Sequence, residues 1–503
     1  MTVTINKADL ITRVNNILSG LNLSTANSTR IALFFKVADN IDIGTIALQD
    51  ELISRLENVS SSTQLEELLM LIVATSMFEE NRSIVVPDLA TLEAITEISP
   101  GSIYFVEDEQ LPYIKKENGT WTLIDPSLQP DLPLENAYGW GRNNRGELGD
   151  GTTSFRSLPI NVLGGFTDWV HVSSGSRDGL GLRANGTLWS WGDNSFGKLG
   201  DGTAVSRSSP VSVVGGFTDW NQVSAGYFHS LGVRANGTMW GWGDGYTGAI
   251  GNNTDEEYSS PVSVVGGFTD WIQASAGNDF SLGVRANGTL WAWGSNFYTQ
   301  LGIDDSQTEE YSSPVSVVGG FTDWIQASAG GFHSLGVRAN GTLWAWGRND
   351  TFNDGSGFLG DGTTEGRSSP VSVVGDFTDW ISASAGGLHS LGVRANGTLW
   401  AWGSNIRFGA PSGQLGDNSA INRSSPVSVV GGFTDWVSAS AARVHSIGLR
   451  ANGTLWAWGD NGNFQLGNGN DIDTSSPVLV GGGFTDWVQA SAGENHSLGI
   501  IGG

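Results

Sequence analysis

Five histidines occupy one recurring slot, written A-G-x-x-H in most copies: His229, His333, His389, His445 and His496. Imidazoles in a repeated frame could ligate a metal or shuttle protons. A zinc site, however, needs three or four ligands converging on one point, with an open position if it is to be catalytic. Slots that return once per repeat do not converge that way, and two other repeats place Gly179 and Phe280 there. The slot therefore predicts structural histidines bonded to backbone near a turn. GDGTT at 149–153 and GDGT at 200–203 resemble phosphate or metal loops. Neither is followed by Lys-Ser/Thr or by a helical pattern, so phosphate-loop and EF-hand chemistry do not apply. The acidic stretches IDDSQTEE (303–310) and NTDEE (253–257) offer oxygen ligands for calcium, with solvated charge as the plain alternative. Asn-Gly-Thr at 185, 236, 287, 340, 396 and 452 matches a glycosylation sequon, but a hairpin turn explains it better. No nucleophile–base pair, paired carboxylates or cofactor fingerprint emerges, which predicts a chain without catalytic residues, cofactor or metal.

The elements that carry these residues follow from internal repetition. RANGTLWAWG stands at 285–294, 338–347, 394–403 and 450–459, with near-copies at 183–192 and 234–243. FTDW recurs with its Trp at 169, 220, 271, 324, 380, 436 and 487, giving spacings of 51, 51, 53, 56, 56 and 51 residues. Each unit holds four β-type segments: a (DWIQASA), b (HSLGVRA), c (TLWAWG) and d (SPVSVV). Asn-Gly joins b to c as a tight hairpin. Seven units of four antiparallel strands predict a mainly β fold, a seven-bladed β-propeller. Segment a, rich in Ala, Ser and Gly, suits the crowded strand beside the central channel. Segment c places two Trp at i and i+2, on one face of the strand, as core between blades. The first repeat material is a c segment, AYGWG at 137–141, and the chain ends on a and b segments. One blade is therefore predicted to be split between the two ends of the propeller, which closes the ring and removes free edges.

Residues 1–82 read as a small α-helical module, with four apolar-periodic segments (ADLITRVNNILSGL, STRIALFFKVADNI, ALQDELISRLENV, QLEELLMLIVATSMF). Residues 83–125 read as a short β module with an Asn-Gly hairpin at 118–119, and the Pro-rich 126–136 reads as a semi-rigid linker to the propeller at 137–503. The 503-residue chain has a formal charge of −26, 72 Gly, 21 Trp and no Cys. That charge disfavours nucleic acid and anionic lipid as partners. Its N-terminus lacks the pattern of a signal peptide, and its longest apolar run is too short to span a bilayer, so no membrane insertion is expected.

The repeat unit closely resembles that of the regulator of chromosome condensation family across 137–503. W-G, G-x-L-G, the Pro before segment d and A-G-x-x-H-S all fall at family spacing. The resemblance implies a seven-bladed propeller with a split blade. It does not imply nucleotide exchange, because no repeat carries the inserted wedge of the family's exchange factor. A second resemblance covers about 40 residues: TLEAITEISPGSIYFVEDEQLPYIKKENGTWTLID is similar to small modules of tail-fibre and other virion proteins of marine tailed phages.

Differences between repeats point to the working surface. The c–d loop has 17 residues between W-G and Pro in four repeats, 19 in one and 22 in two. Variation also concentrates in the two residues after A-G. Alternating strand direction puts the a–b and c–d loops on one face, while RANG and FTDW hold the other face nearly uniform. There Arg183, Arg234, Arg285, Arg338, Arg394 and Arg450 are expected to pair with the Asp of FTDW. The variable face carries Tyr227, Phe228, Tyr246, Phe297, Tyr298, Phe332, Phe352, Phe358, Phe408 and Phe464, the predicted binding residues. The function expected is that of a non-enzymatic phage virion protein, a tail fibre or similar appendage. Its N-terminus would bind other virion proteins, with a homotrimer as one arrangement, and its propeller would bind a host-surface protein or glycan. The alternatives are a capsid or tail decoration protein, and a bacterial regulatory or inhibitory propeller.

Overall fold

The computed structural model describes residues 136–350, 355–407 and 410–502, with the strands β1 (Ile84–Val86), β2 (Ile103–Val106), β3 (Leu111–Lys115) and β4 (Trp121–Leu123). The helical segments expected within 1–82 and most of the linker lie outside the described residues. The chain divides into two units, Met1–Leu132 and Pro133–Gly503. In the first, β1 to β4 form one sheet in sequence order; β1 and β2 run parallel, and β3 and β4 pair antiparallel with Lys115 opposite Trp121, while the Asn-Gly at 118–119 expected to join them lies outside the described residues.

The second unit is a propeller of seven four-stranded antiparallel sheets. Blade 3 is representative: a is Trp271–Ala276, b Phe280–Arg285, c Leu290–Ser295 and d Glu310–Ser316, hydrogen-bonded in that order. Blades 1 to 6 begin at Trp169, Trp220, Trp271, Trp324, Trp380 and Trp436. Blade 7 joins Trp487–Ala492 and His496–Ile501 to Ala137–Gly141 and Arg156–Asn161, so the predicted split blade is present.

The apolar core lies between blades. The seam of blades 2 and 3 sets Leu231, Val233 and Met239 against Trp271, Ala274 and Trp293. The Trp before the closing Gly of each c strand is fully buried, and in six of the seven its Nε1 donates to a carbonyl of the preceding blade, as from Trp293 to Ala249 O (2.8 Å), whereas Trp346 Nε1 has no hydrogen-bond partner. The first Trp of c is half-buried against the Phe of FTDW, with Phe268 and Trp291 centroids 4.8 Å apart. Segment a is innermost, and a serine on it bonds the next blade all round the ring. Ser173, Ser224, Ser275, Ser328, Ser384 and Ser440 each accept the amide of an Ala one blade on, and Ser491 accepts Ser174 N, at 2.9–3.0 Å. Four glutamines add a second tie: Gln326 donates to Ala383 O (3.0 Å) and accepts Ala383 N (2.8 Å), and Gln489 bridges blade 7 to Val172 of blade 1. Among the described residues no α-helix occurs, and none is a helix long and apolar enough to cross a membrane.

Candidate functional site

Most of the residues that invite chemistry are holding the scaffold. His389 Nε2 lies 2.8 Å from Ser446 Oγ of the next blade, while that hydroxyl donates to Gln414 O (2.8 Å). The serine proton is thereby committed, so the imidazole is the donor and carries its proton on Nε2. His229, His333 and His445 repeat the arrangement on Ser281, Ser390 and Ser497. These histidines therefore tie blade to blade through a side chain, and do not simply bond local backbone as the sequence suggested. Burial holds them neutral: His229 is lowered to about 4, and His333, His389, His445 and His496 to about 3. The slot of blade 1 also needs correction. Strand b begins at Asp178, so Asp178 and not Gly179 replaces the histidine. Lys198, 2% exposed, sits 2.8 Å from its carboxylate and 3.5 Å from Asp193, forming a buried cluster that the sequence reading missed. Burial pushes the Asp178 carboxyl up, and the Lys198 ammonium pulls against that shift.

The loop motifs resolve into turns. Asp201 of GDGT accepts Thr203 N (3.0 Å) and Thr203 Oγ1 (2.7 Å), and its other oxygen pairs with Arg207 at 2.7 Å. Asn236 caps its own hairpin by accepting Thr238 N (3.1 Å), with Gly237 at φ +75° supplying the left-handed step. In IDDSQTEE, Asp305 accepts Gln307 N (2.8 Å) and the Tyr311 hydroxyl (2.7 Å), which hold its carboxyl well below the usual range. Its oxygens serve the loop. No group of three or more His, Cys, Asp or Glu is placed to hold a metal among the described residues. On the uniform face each expected Arg–Asp pair forms at 2.7–2.8 Å, and every guanidinium also lies 3.9–4.0 Å over the Phe of FTDW.

The predicted binding residues separate into three groups. Tyr246 (74% exposed) and Phe297 (63% exposed) stand out from the c–d loops of blades 2 and 3. Phe297 meets Tyr298 (4.9 Å), Tyr298 meets Phe332 of the next blade (5.3 Å), and Arg348 covers both Tyr298 (4.7 Å) and Phe332 (5.4 Å). Tyr227 and Phe228 pack at 4.5 Å, with Phe196, a partner not singled out from the sequence, 5.8 Å from Phe228. Phe464 is half-buried at φ +63°, a backbone position that blades 1 and 2 give to Gly197 and Gly248. Phe358 belongs elsewhere: it is fully buried, its ring 5.7 Å from His333, and its carbonyl accepts both Trp402 Nε1 and Ser390 Oγ. It is core, because the x position of G-x-L-G points inward in every blade, as Glu147, Lys198 and Gln465 also show. Phe352 and Phe408 lie outside the described residues.

On this same face the a–b turns surround the mouth of the central channel, a cavity of about 440 Å³. Tyr227, Phe228, Phe332 and Leu388 line part of it, and Arg443 and Glu494 another part. Glu494 is buried between Arg443, which donates to its Oε1, and Arg177, 3.8 Å from its Oε2. Tyr227 reaches the same carboxylate, and burial together with that negative charge pushes its hydroxyl up. Farther out, exposed acids cluster on blades 2 to 4 (Asp255, Glu256, Glu257, Glu309, Glu310, Glu365), whereas Val205, Ile421, Ile472 and Phe155 stand exposed on blades 1, 5, 6 and 7.

Residues 136–499 match the family model described as RCC1-like domain. The chain is 28% identical over 351 residues to the ultraviolet-B receptor UVR8 of Arabidopsis thaliana, covering 68% of this chain and 76% of that protein. It is 27% identical over 388 residues to the human E3 ubiquitin-protein ligase HERC2, covering 74% of this chain but only 8% of that one. Among solved structures, human WBSCR16 (TM-score 0.63, 20% identity, 73% of this chain and 100% of that one) shares the fold. So does yeast RCC1 (Prp20) bound to Kap60 (TM-score 0.63, 21% identity, 73% and 89%).

Proposed function

The chain belongs to the RCC1-like domain family, and from that membership we propose that it is a non-enzymatic recognition propeller whose a–b and c–d loop face binds a protein partner. One observation carries this reading. Exposed aromatics and all loop-length variation gather on one face, while the other repeats the same Arg–Asp–Phe contact blade after blade. Rigid strands presenting variable loops are the arrangement of a binding surface. The yeast RCC1 structure with Kap60 supports a protein as the class of partner. In this proposal the propeller is displayed on a phage particle, with residues 1–125 as the anchor. Support for that placement comes from the virion-like stretch around GSIYFVEDE alone.

Two measurements test it. Mass spectrometry of purified particles should find this chain, and its absence ends the virion placement. Adsorption competition with purified protein should fall about tenfold or more when Phe297 and Tyr298 are changed to Ala, since a well-placed aromatic anchor contributes about 2 kcal/mol. Arg338→Ala and Arg394→Ala, on the uniform face, should cost stability and leave competition unchanged. The reverse pattern would place recognition on the wrong side of the disc.

A second reading has its own observation. Each a strand carries a bulge after its Trp, and the extra residue is an exposed aliphatic in six blades: Val170, Ile272, Ile325, Ile381, Val437 and Val488. This apolar ring at the uniform-face end of the channel suits docking on another subunit, as a decoration protein would need. Ile325→Asp with Ile381→Asp should then abolish particle incorporation while sparing adsorption competition.

A further inference from the structure

The mouth of the channel differs from the rest of the variable face in how its charges are layered. Glu494 is 4% exposed at its side chain, whereas Arg443 and Arg177 above it are 43% and 38% exposed. One step outward Glu147, fully buried, lies under Arg142 (3.7 Å), itself 19% exposed. Three guanidiniums are thus paired with two sunken carboxylates, and of the three Arg443 lines the cavity with a half-exposed guanidinium, in a chain of net charge −26. Glu494 lies in the cavity wall with one oxygen toward Arg443 and the other toward Arg177. Other parts of the wall are apolar: Phe228, Phe332 and Leu388.

We propose that this mouth captures the carboxyl terminus of a partner protein that ends in an apolar residue. This rests on the a–b and c–d face being the recognition face. The terminal carboxylate would meet the guanidinium of Arg443, the one arginine of the cavity lining, whose planar fork suits a carboxylate. The last side chain would lie against Phe332 and Leu388. A cavity of about 440 Å³ admits one or two residues and no folded element. An acidic sugar shares the carboxylate but fits less well. Its ring hydroxyls would need several partners, and the neutral polar side chains of the lining are Asn278 with the small Ser174 and Ser176 and the half-buried Tyr227.

The test presents the full chain with a pool of random hexapeptides tethered by their N-termini, once with free C-terminal carboxylates and once amidated. The free pool should retain the protein with apolar residues enriched at the last position, and amidation should cut retention at least tenfold. Arg443→Gln should lower retention at least tenfold. Leu388→Asp, which touches no ion pair in the wall and places a negative charge against the carboxylate, should do the same with melting unchanged. Equal retention on the amidated pool, no preference at the last position, or retention displaced by glucuronate with no peptide selectivity would each overturn the proposal. If Arg443→Gln and Leu388→Asp leave adsorption competition intact while the Phe297 and Tyr298 changes abolish it, the channel inference fails and the recognition face stands. If none of the four matters, both fall.

Discussion

His389 shows how much of this molecule's apparent chemistry is structural. Its imidazole is buried and neutral, and its one proton is given to Ser446 of the adjoining blade. Three other histidines are held the same way, and His496 is equally buried but faces the Asp178 backbone instead of a serine, all with values near 3 to 4 against an ordinary 6.5. Such a group takes up a proton when the chain unfolds at mildly acid pH. The unfolded state then binds more protons than the folded one, and stability falls as pH drops from 6.5 toward the folded values. The slope approaches about 1.4 kcal/mol per pH unit for each buried imidazole. Denaturant midpoints measured from about pH 8 to about pH 5 should therefore be flat at the alkaline end and decline steeply below about pH 6.5. A flat profile throughout would mean that the imidazoles protonate within the fold. The exception in blade 1 follows the same logic. With Asp178 in place of the histidine, a cation must be supplied, and Lys198 supplies it at the x position of G-x-L-G. The sequence displayed both residues, but not that two positions twenty residues apart face one another.

At the scale of the element, strand b of each blade carries a glycine that leaves no room for a side chain. In strand b of blade 5, a Cβ on Gly392 would come within 2.5 Å of the Trp380 ring, which lies across the strand from its own a segment. The same approach recurs at Gly181, Gly232, Gly283, Gly336, Gly448 and Gly499. Gly392→Ala should therefore cost about 1–3 kcal/mol, the usual penalty for overpacking, without any backbone strain of its own. Chemical denaturation reads it directly, and an unchanged midpoint would mean the Trp shifts freely. What the sequence made legible here was periodic: strand order, the Asn-Gly hairpins, the Trp seams and the Arg–Asp pairs all repeat, and repetition reveals a shared environment. What it concealed was position-specific. Phe358 reads as one more loop aromatic, because nothing local says that the x of G-x-L-G turns inward. The importance of Arg443 and Glu494 depends on two loops of different blades meeting at the channel, which no single repeat encodes.

At the scale of the whole molecule, the disc holds together only as a closed ring, and closure rests on the last twenty residues. Strands Trp487–Ala492 and His496–Ile501 supply the inner half of blade 7. They contribute to two seams at once: Trp487, Ala492 and Ile501 pack against blade 6, and Leu498 and Ile500 against blade 1. They also complete the interblade ties, through Ser491 to Ser174, Gln489 to Val172, Ser440 to Ala492 and His445 to Ser497. Removing 484–503 would leave Ala137–Gly141 and Arg156–Asn161 without inner partners, and would expose Trp140 together with the facing edge of blade 1. Neither seam could then reform, because the six remaining blades span an arc whose ends are separated by the missing sheet. Unpaired strand edges and bared Trp faces also favour association between chains. The truncated protein should lose its single cooperative melt, become sensitive to protease within the first and sixth blades, and aggregate on concentration. A truncated chain that melted like the intact one and resisted protease would show that the outer strands alone close the ring, and the split-blade account of its stability would have to be abandoned.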